Sequence, residues 1–171
     1  MSPQTLRARP HVATDAKPDA DAHSRVLRQF RLVFSAVRRH FTHMEKSAGL
    51  GGAPIWALSL IAQQPGMRVN ELARAMDIHQ STASNLVRQL LRKDLVRSDR
   101  SAQDRRNVVL QVTPAGQALL DGAPGPHEGV LPATLQKLSP HTLEQLHLHL
   151  GELLKVLQPD TTAAKLPLAD L

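Results

Sequence analysis

A short polar run, residues 80–88, carries side chains suited to contacting a nucleic acid. Gln and Asn amides can hydrogen-bond an adenine edge in two places, and Ser and Thr hydroxyls can serve bases or phosphates. For any one of these side chains, a solvated helix face is the alternative interpretation. Together the pattern favours a surface that binds double-stranded DNA. The candidate DNA contacts in this run are Gln80, Ser81, Thr82, Ser84, Asn85 and Arg88.

Positive charge is concentrated just after this run. The segment from Arg88 to Arg106 holds seven basic residues against three acidic ones, a net charge of +4 within a chain whose formal net charge is +6. Its sequence alternates as strands do, which predicts a hairpin with arginines near its tip. A helix in the major groove and an Arg-tipped hairpin in the adjacent minor groove would together form one duplex-binding surface.

The elements that must position these side chains form a helix-turn-helix. Residues 69–76 have helical apolar spacing, a break is predicted at Asp77 to His79, and a polar-fronted helix follows. The first helix is predicted from Val69, Leu72, Ala73 and Met76, and the second from Leu86, Leu90 and Leu91. We therefore expect a mainly α protein in which residues 51–113 form the DNA-binding domain.

Two apolar seams flank this domain. One helix is expected to begin at Ser24 and to occupy residues 24–50, with apolar residues that step by three and four. A last helix opens at Ser139 and Pro140 and steps in the same way. These seams predict homodimerisation through both chain ends, although packing of the two helices within one subunit is the alternative. The seam residues are Leu27, Phe30, Phe34, Val37, Phe41, Met44, Leu143, Leu146, Leu150, Leu153 and Leu157.

Helix signals and breaks divide the rest of the chain. Thr113 and Pro114 predict a helix start, and the Gly- and Pro-rich segment 122–132 predicts a kink or break in the C-terminal dimerisation helices, residues 114–158. Residues 1–23 lack apolar periodicity and are expected to form a disordered tail. Residues 159–171 are expected to form a second, frayed tail.

The spacing D-x-R-x-x-x-L-x-x-T, followed by a glycine, resembles the MarR family of winged helix-turn-helix transcriptional regulators over about residues 24–158. The motif is Asp104, Arg106, Leu110 and Thr113, with Gly116 following. The resemblance implies a winged helix-turn-helix with about six helices and a two- to three-stranded β wing. It also implies a dimer on a palindromic operator, frequently released by a small aromatic acid.

The resemblance also assigns roles in the wing. Asp104 would pair with Arg106 and brace the hairpin, Arg105 would point into the minor groove, and Arg100 could reach phosphate. Two positions depart from the family pattern. His79 stands where a Ser or Thr usually caps the recognition helix, so the cap must come from the imidazole, Ser81 or water, and Asp94 replaces a customary glycine before Leu95.

An effector site is the least explicit part of the sequence. By family analogy, charged and aromatic residues on the first two helices would line a pocket between the dimer region and the DNA-binding domain. These residues are Arg38, Arg39, His40, His43 and Trp56. A metal-responsive regulator is an alternative, since His40 and His43 lie one helical turn apart in a chain with nine His.

Composition narrows the remaining function classes. The chain has no Cys, which excludes disulfides and thiolate metal sites, and its few aromatic residues disfavour base-stacking readers of RNA. No apolar run approaches a membrane span and no signal peptide is evident, so a cytoplasmic location is the default. We find no catalytic motif, and expect neither an enzyme nor a bound cofactor. The expected function is a ligand-released dimeric repressor; a non-specific architectural DNA-binding protein is the other alternative.

Overall fold

The structure, a computed structural model, describes residues 20–100 and 108–170. The described residues belong to two units, residues 20–32 and residues 33–170 without the undescribed 101–107. The long helix α1, Ala20–Ala48, contributes to both units. We expected this helix to begin at Ser24, but the described part begins at Ala20. Asp21 lies in the first turn and pairs with Arg25, and both the acidic position and the pairing one turn apart stabilise an earlier start.

The remaining elements confirm the expected mainly α winged helix-turn-helix fold. The described residues contain seven α-helices and one two-stranded sheet, one helix more than expected, because α5 and α6 are separated by the Gly- and Pro-rich segment. The elements after α1 are α2 (Gly52–Gln63), α3 (Val69–Ala75), α4 (Gln80–Arg92), β1 (Val96–Arg100), β2 (Val108–Val112), α5 (Pro114–Gly122), α6 (Val130–Leu135) and α7 (Pro140–Leu157), followed by 3₁₀ turns at Thr161–Lys165 and Leu168–Asp170.

Helix α2 lies at the centre of the core and supports the helix-turn-helix. Its residues Ile55, Leu58 and Ile61 are fully buried. They share one apolar cluster with Leu72 of α3 and Leu90 of α4. Burial of this continuous apolar surface is the main force that holds α3 and α4 in place.

The wing is an antiparallel pair in which Val96 faces Val112 and Ser98 faces Leu110. Leu110 is almost completely buried, and its backbone also bonds to the segment before α3. Its N–H donates to the Met67 carbonyl at 2.9 Å, and its carbonyl accepts from the Gly66 N–H at 3.0 Å. Strand β2 is therefore bonded to β1 along one edge and to the segment before α3 along the other.

The predicted helix starts after the wing are confirmed. The Thr113 hydroxyl caps α5 by accepting from the Gly116 N–H at 3.1 Å, and the Ser139 hydroxyl caps α7 by accepting from the Thr142 N–H at 3.1 Å. The break between them is also confirmed, since α5 ends at Gly122.

The C-terminal residues differ from the frayed tail that we expected. After Pro159 the Asp160 carboxylate accepts from the Thr162 N–H at 2.9 Å and begins a 3₁₀ turn. Lys165 pairs with Asp77, in the turn between α3 and α4, and Pro167 is buried. Local apolar periodicity is absent from this segment, so its packing depends on contacts with residues far away in the chain. In the part of the chain that the structure describes, no helix is long and apolar enough to cross a membrane.

Candidate nucleic-acid interface

Helix α4 has one polar, exposed face and one apolar, buried face. Leu86, Val87 and Leu90 point into the core. On the opposite side Thr82 and Ser84 are half-buried, and the other candidate contacts are exposed. The exposed ones are Gln80, Ser81, Asn85 and Arg88. All six side chains predicted to contact DNA in this helix therefore lie on or at the edge of its accessible face.

Two hydrogen bonds organise this face. The Arg88 guanidinium donates from Nη1 to Asn85 Oδ1 at 2.9 Å, and the Ser84 hydroxyl donates to the Gln80 carbonyl at 2.8 Å. Since the Ser84 proton is engaged within the helix, its oxygen can only accept from a ligand in this conformation. The Asn85 amide keeps its two N–H donors but shares its oxygen with Arg88.

The N-terminus of α4 is open. His79 occupies the N-cap position in an extended conformation, and its side chain makes no capping hydrogen bond. The first turn contains no acidic residue. The unsatisfied N–H groups of a first turn carry partial positive charge and favour an anion such as a phosphate. Of the caps that the sequence left open at this helix start, the His79 imidazole is therefore excluded in this structure.

The wing contains a brace that the sequence did not predict. Arg97 of β1 donates to Gln111 Oε1 of β2 from Nε at 3.1 Å and from Nη2 at 2.6 Å, and its Nε lies 3.2 Å from Asp99 Oδ2. Arg97 and Gln111 are directly opposite in the register, on the exposed side of the pair. Strand alternation could have identified them as neighbours once the hairpin register was known.

Several predicted wing residues cannot be placed. Asp104, Arg105 and Arg106 lie outside the described residues, and so does the side chain of Arg100, whose backbone ends β1. The predicted Asp104–Arg106 brace therefore remains a prediction.

The rest of the motif has a structural role. Leu110 is buried, and Thr113 both caps α5 and donates to the Asp94 carbonyl at 2.7 Å. Gly116 lies against Leu95, where a β-carbon would overlap the Leu95 carbonyl oxygen. Asp94, the second departure, adopts a left-handed conformation with φ of 54°, which explains why a glycine suits this position.

The residues predicted to bind an effector do not form one pocket. Arg38, Arg39 and His43 lie together on α1 and line an open groove of about 440 Å³. Ser35, Thr42 and Lys46 complete its lining.

The other two predicted effector residues lie elsewhere. The Trp56 side chain borders a narrow crevice with Phe41 and with Pro167 to Ala169 of the C-terminal segment. His40 Nε2 lies 2.9 Å from the Pro126 carbonyl oxygen. These five residues do not share one pocket within the described chain, because the C-terminal segment and the Gly- and Pro-rich segment pack against Trp56 and His40. Their role in binding an effector stays a prediction. Among the described residues, no group of three His, Asp or Glu is arranged to hold a metal ion.

Comparison with known proteins identifies the segment that carries this interface. Residues 55–108, from α2 to the start of β2, match the model of the MarR family. A curated protein of Thauera aromatica, named "Putative transcriptional regulatory protein for hcr operon", is 44% identical over 63 residues. That alignment spans 36% of this chain and 38% of the length of the relative. Our expectation that the chain is not an enzyme agrees with the name of this relative.

Solved structures share the fold of this segment and of the residues around it. The S. aureus MepR–DNA complex is 23% identical, with a TM-score of 0.53 over 79% of this chain and 96% of that one. The YusO protein from Bacillus subtilis is 20% identical, with a TM-score of 0.52 over 80% of this chain and 98% of that one. These likenesses extend the winged helix-turn-helix assignment well beyond residues 55–108.

Proposed function

We propose that the protein is a transcriptional regulator that binds double-stranded DNA sequence-specifically. It acts as a homodimeric repressor on a palindromic operator and is released by a small molecule. The observation that carries this proposal is the exposed face of α4, where amide, hydroxyl and guanidinium groups lie beside the open, positively polarised N-terminus of the same helix. These groups suit base edges and phosphates in a major groove. The DNA complex of MepR, whose fold this chain shares, supports the same use of the fold.

The leucine-rich helix α7 supports the homodimer. The structure describes α7 throughout and finds none of its 18 residues buried. Its exposed apolar residues are Leu143, Leu146, Leu148, Leu150, Leu153, Leu154, Val156 and Leu157. So large an apolar surface is unusual on a soluble monomer, and a second copy of the chain would cover it. Dimerisation would also place two recognition helices on half-sites about one helical turn of DNA apart.

The groove on α1 supports release by an anionic effector. Arg38, Arg39 and Lys46 place three positive charges around an open groove, next to His43. A small aromatic carboxylate would satisfy the guanidinium groups and cover their apolar stems. The expected assay is a thermal-shift screen with aromatic carboxylates. The absence of any compound that both stabilises the protein and weakens its binding to DNA would refute release by this class of effector.

DNA binding is tested by selecting genomic duplex fragments with the purified full chain and measuring affinity for enriched and shuffled sequences over a range of salt concentrations. We expect enriched fragments to bind at least about 1,000-fold more tightly than shuffled ones. A non-specific architectural protein would show steep salt dependence but equal affinity for both.

Arg105→Ala should weaken binding by about 1–3 kcal/mol and relax the preference for A·T pairs at the flanks. Unchanged affinity in this variant would contradict the wing's role.

The homodimer is tested with the double variant Leu146→Glu, Leu150→Glu, which places two carboxylates on the apolar seam of α7. We expect a monomer, or loss of folding, by light scattering coupled to size exclusion. The matched control His141→Glu, Gln145→Glu adds two carboxylates at polar, exposed positions of the same helix, outside its apolar residues, and should remain dimeric. A seam variant that stays dimeric and binds DNA normally would refute this interface.

A further inference from the structure

One hydrogen bond on α4 bears on which base the protein reads. Arg88 and Asn85 are both exposed on the recognition face and lie one turn apart, and Arg88 Nη1 donates to Asn85 Oδ1 at 2.9 Å. From the sequence we expected Asn85 to hydrogen-bond an adenine edge in two places. That contact needs the amide oxygen to accept from adenine N6 while the amide nitrogen donates to N7. In the structure this oxygen already accepts from Arg88 with one of its two lone pairs, which ties the orientation of the amide to the guanidinium rather than to a base.

We infer that Arg88 reads a guanine in the major groove and that Asn85 is the positioning residue that holds its guanidinium. This inference rests on the proposed DNA-binding function and names the base that the same surface prefers. Guanine presents two acceptors, O6 and N7, on its major-groove edge, and an arginine that donates to both is the commonest base-specific contact. Four of the five guanidinium N–H donors of Arg88 remain available after its bond to Asn85.

The charge of Arg88 also favours this role. Among the described residues, no carboxylate lies within ion-pair distance of Arg88, and its hydrogen-bond partner is a neutral amide. A neutral partner restricts the side chain without cancelling its positive charge. By contrast, Arg97 in the wing is held by both a carboxylate and an amide, which suits a structural brace.

The neighbouring groups are consistent with guanine rather than adenine. The hydrogen bond to Arg88 does not use the two N–H donors of Asn85. Together with the remaining Arg88 donors they suit a guanine edge, which presents two acceptors, better than an adenine edge, which presents one acceptor and one donor. The Ser84 hydroxyl donates to the Gln80 carbonyl, so it adds no competing donor. Arg88 and Asn85 therefore form a donor-rich unit in the second and third turns of α4.

The inference is tested with the full chain and operator duplexes obtained by selection from random sequence. We expect each half-site to contain a guanine whose replacement by 7-deazaguanine, which lacks N7, weakens binding by about 5- to 150-fold. Replacement of the same guanine by hypoxanthine, which keeps O6 and N7, should leave affinity unchanged. Arg88→Ala should abolish the effect of 7-deazaguanine.

Asn85→Ala should reduce discrimination at the same guanine, because it releases the Arg88 side chain. The double variant Asn85→Ala, Arg88→Ala should discriminate between guanine and 7-deazaguanine no worse than Arg88→Ala alone, because Asn85 acts through Arg88. Gln89→Ala is the matched control, because Gln89 is an exposed amide one position beyond Arg88. It should keep the wild-type preference. All variants change exposed side chains, and equal melting temperatures confirm folding.

Three outcomes would overturn the inference. Arg88→Ala could weaken binding to all duplexes equally and reduce the slope of log affinity against log salt concentration by about 1. Arg88 would then bind a backbone phosphate instead. If Asn85→Ala instead removes a preference for adenine, Asn85 reads that base directly. If selection enriches no sequence at all, the proposed function fails, and the inference fails with it. The first two outcomes leave the proposed function intact.

Discussion

Gly116→Ala is the substitution for which the structure makes the sharpest stability prediction. Gly116 is buried in the first turn of α5. An added β-carbon would overlap the Leu95 carbonyl oxygen, and it would lie 2.9 Å from Val112 Cγ1 and 3.1 Å from the Leu95 carbonyl carbon. The valine methyl can rotate away, but the Leu95 backbone is fixed in two ways. Its carbonyl accepts from the Thr113 N–H at 3.1 Å, and its own N–H donates to the Leu90 carbonyl at 3.0 Å.

The expected loss is about 2 kcal/mol of unfolding free energy. Forcing one extra carbon into a packed site costs about 1–3 kcal/mol. Displacing the Leu95 carbonyl weakens its hydrogen bond with Thr113, worth about 0.5–1.5 kcal/mol. The higher helix propensity of Ala returns about 0.5–1 kcal/mol. For a chain of this size the net loss lowers the melting temperature by about 4–8 °C.

The assay is urea unfolding followed by circular dichroism, with the variants at equal protein concentration because dimerisation would link stability to concentration. Gly122→Ala is the matched control, since Gly122 ends the same helix and a β-carbon there would meet nothing within 4 Å. It should be neutral or stabilising by about 0.4–1 kcal/mol. Equal urea midpoints of unfolding for Gly116→Ala and Gly122→Ala would show that the close contact between α5 and the Leu95 carbonyl does not exclude a side chain at residue 116.

Three further substitutions test other features of the fold. Thr113→Val removes both hydrogen bonds of the Thr113 hydroxyl and should cost about 1–3 kcal/mol by urea unfolding, while Thr113→Ser should retain most of the stability. Asp94→Gly removes the backbone strain of an aspartate with positive φ and should raise the melting temperature. A lower melting temperature would show that the positive φ at Asp94 is not strained. Partial burial raises the pKa of the Asp170 carboxyl above its ordinary value, so the folded state binds its proton more tightly than the unfolded state. The stability from this group is therefore lost as the pH rises past the ordinary pKa of an aspartate. The free energy of unfolding of Asp170→Asn should therefore increase relative to that of the wild type as the pH rises past the ordinary pKa of an aspartate. A difference in unfolding free energy that does not change with pH would refute a raised pKa at Asp170.

Much of the DNA-binding domain could be predicted from the sequence because its signals are local. The 3.6-residue spacing places Leu72 and Leu90 in the core, and the caps at Thr113 and Ser139 occur where the sequence indicates them. The polar face of α4 follows from the same periodicity. Each of these features depends on residues within one or two turns of one another, so the pattern alone determines them.

The surroundings of the predicted effector residues could not be predicted, because they depend on long-range contacts. His40 bonds to the Pro126 carbonyl, 86 positions away, and Lys165 pairs with Asp77, 88 positions away. No apolar periodicity marks the C-terminal segment that narrows the crevice beside Trp56. The braced Arg97 was missed for a related reason, since its partner Gln111 is known only after the hairpin register is fixed.

The position of the MarR-family match explains why the sequence predicts the fold better than it predicts the proposed effector. The match covers residues 55–108, which hold the recognition helix and the first strand of the wing. Of the motif that suggested the family, the described residues Leu110, Thr113 and Gly116 pack and cap; they hold the wing and α5 against β1 and need not touch DNA. Their presence therefore indicates the fold. The groove around Arg38 and the C-terminal segment both lie outside the match, so they can differ between proteins that share the winged helix-turn-helix fold.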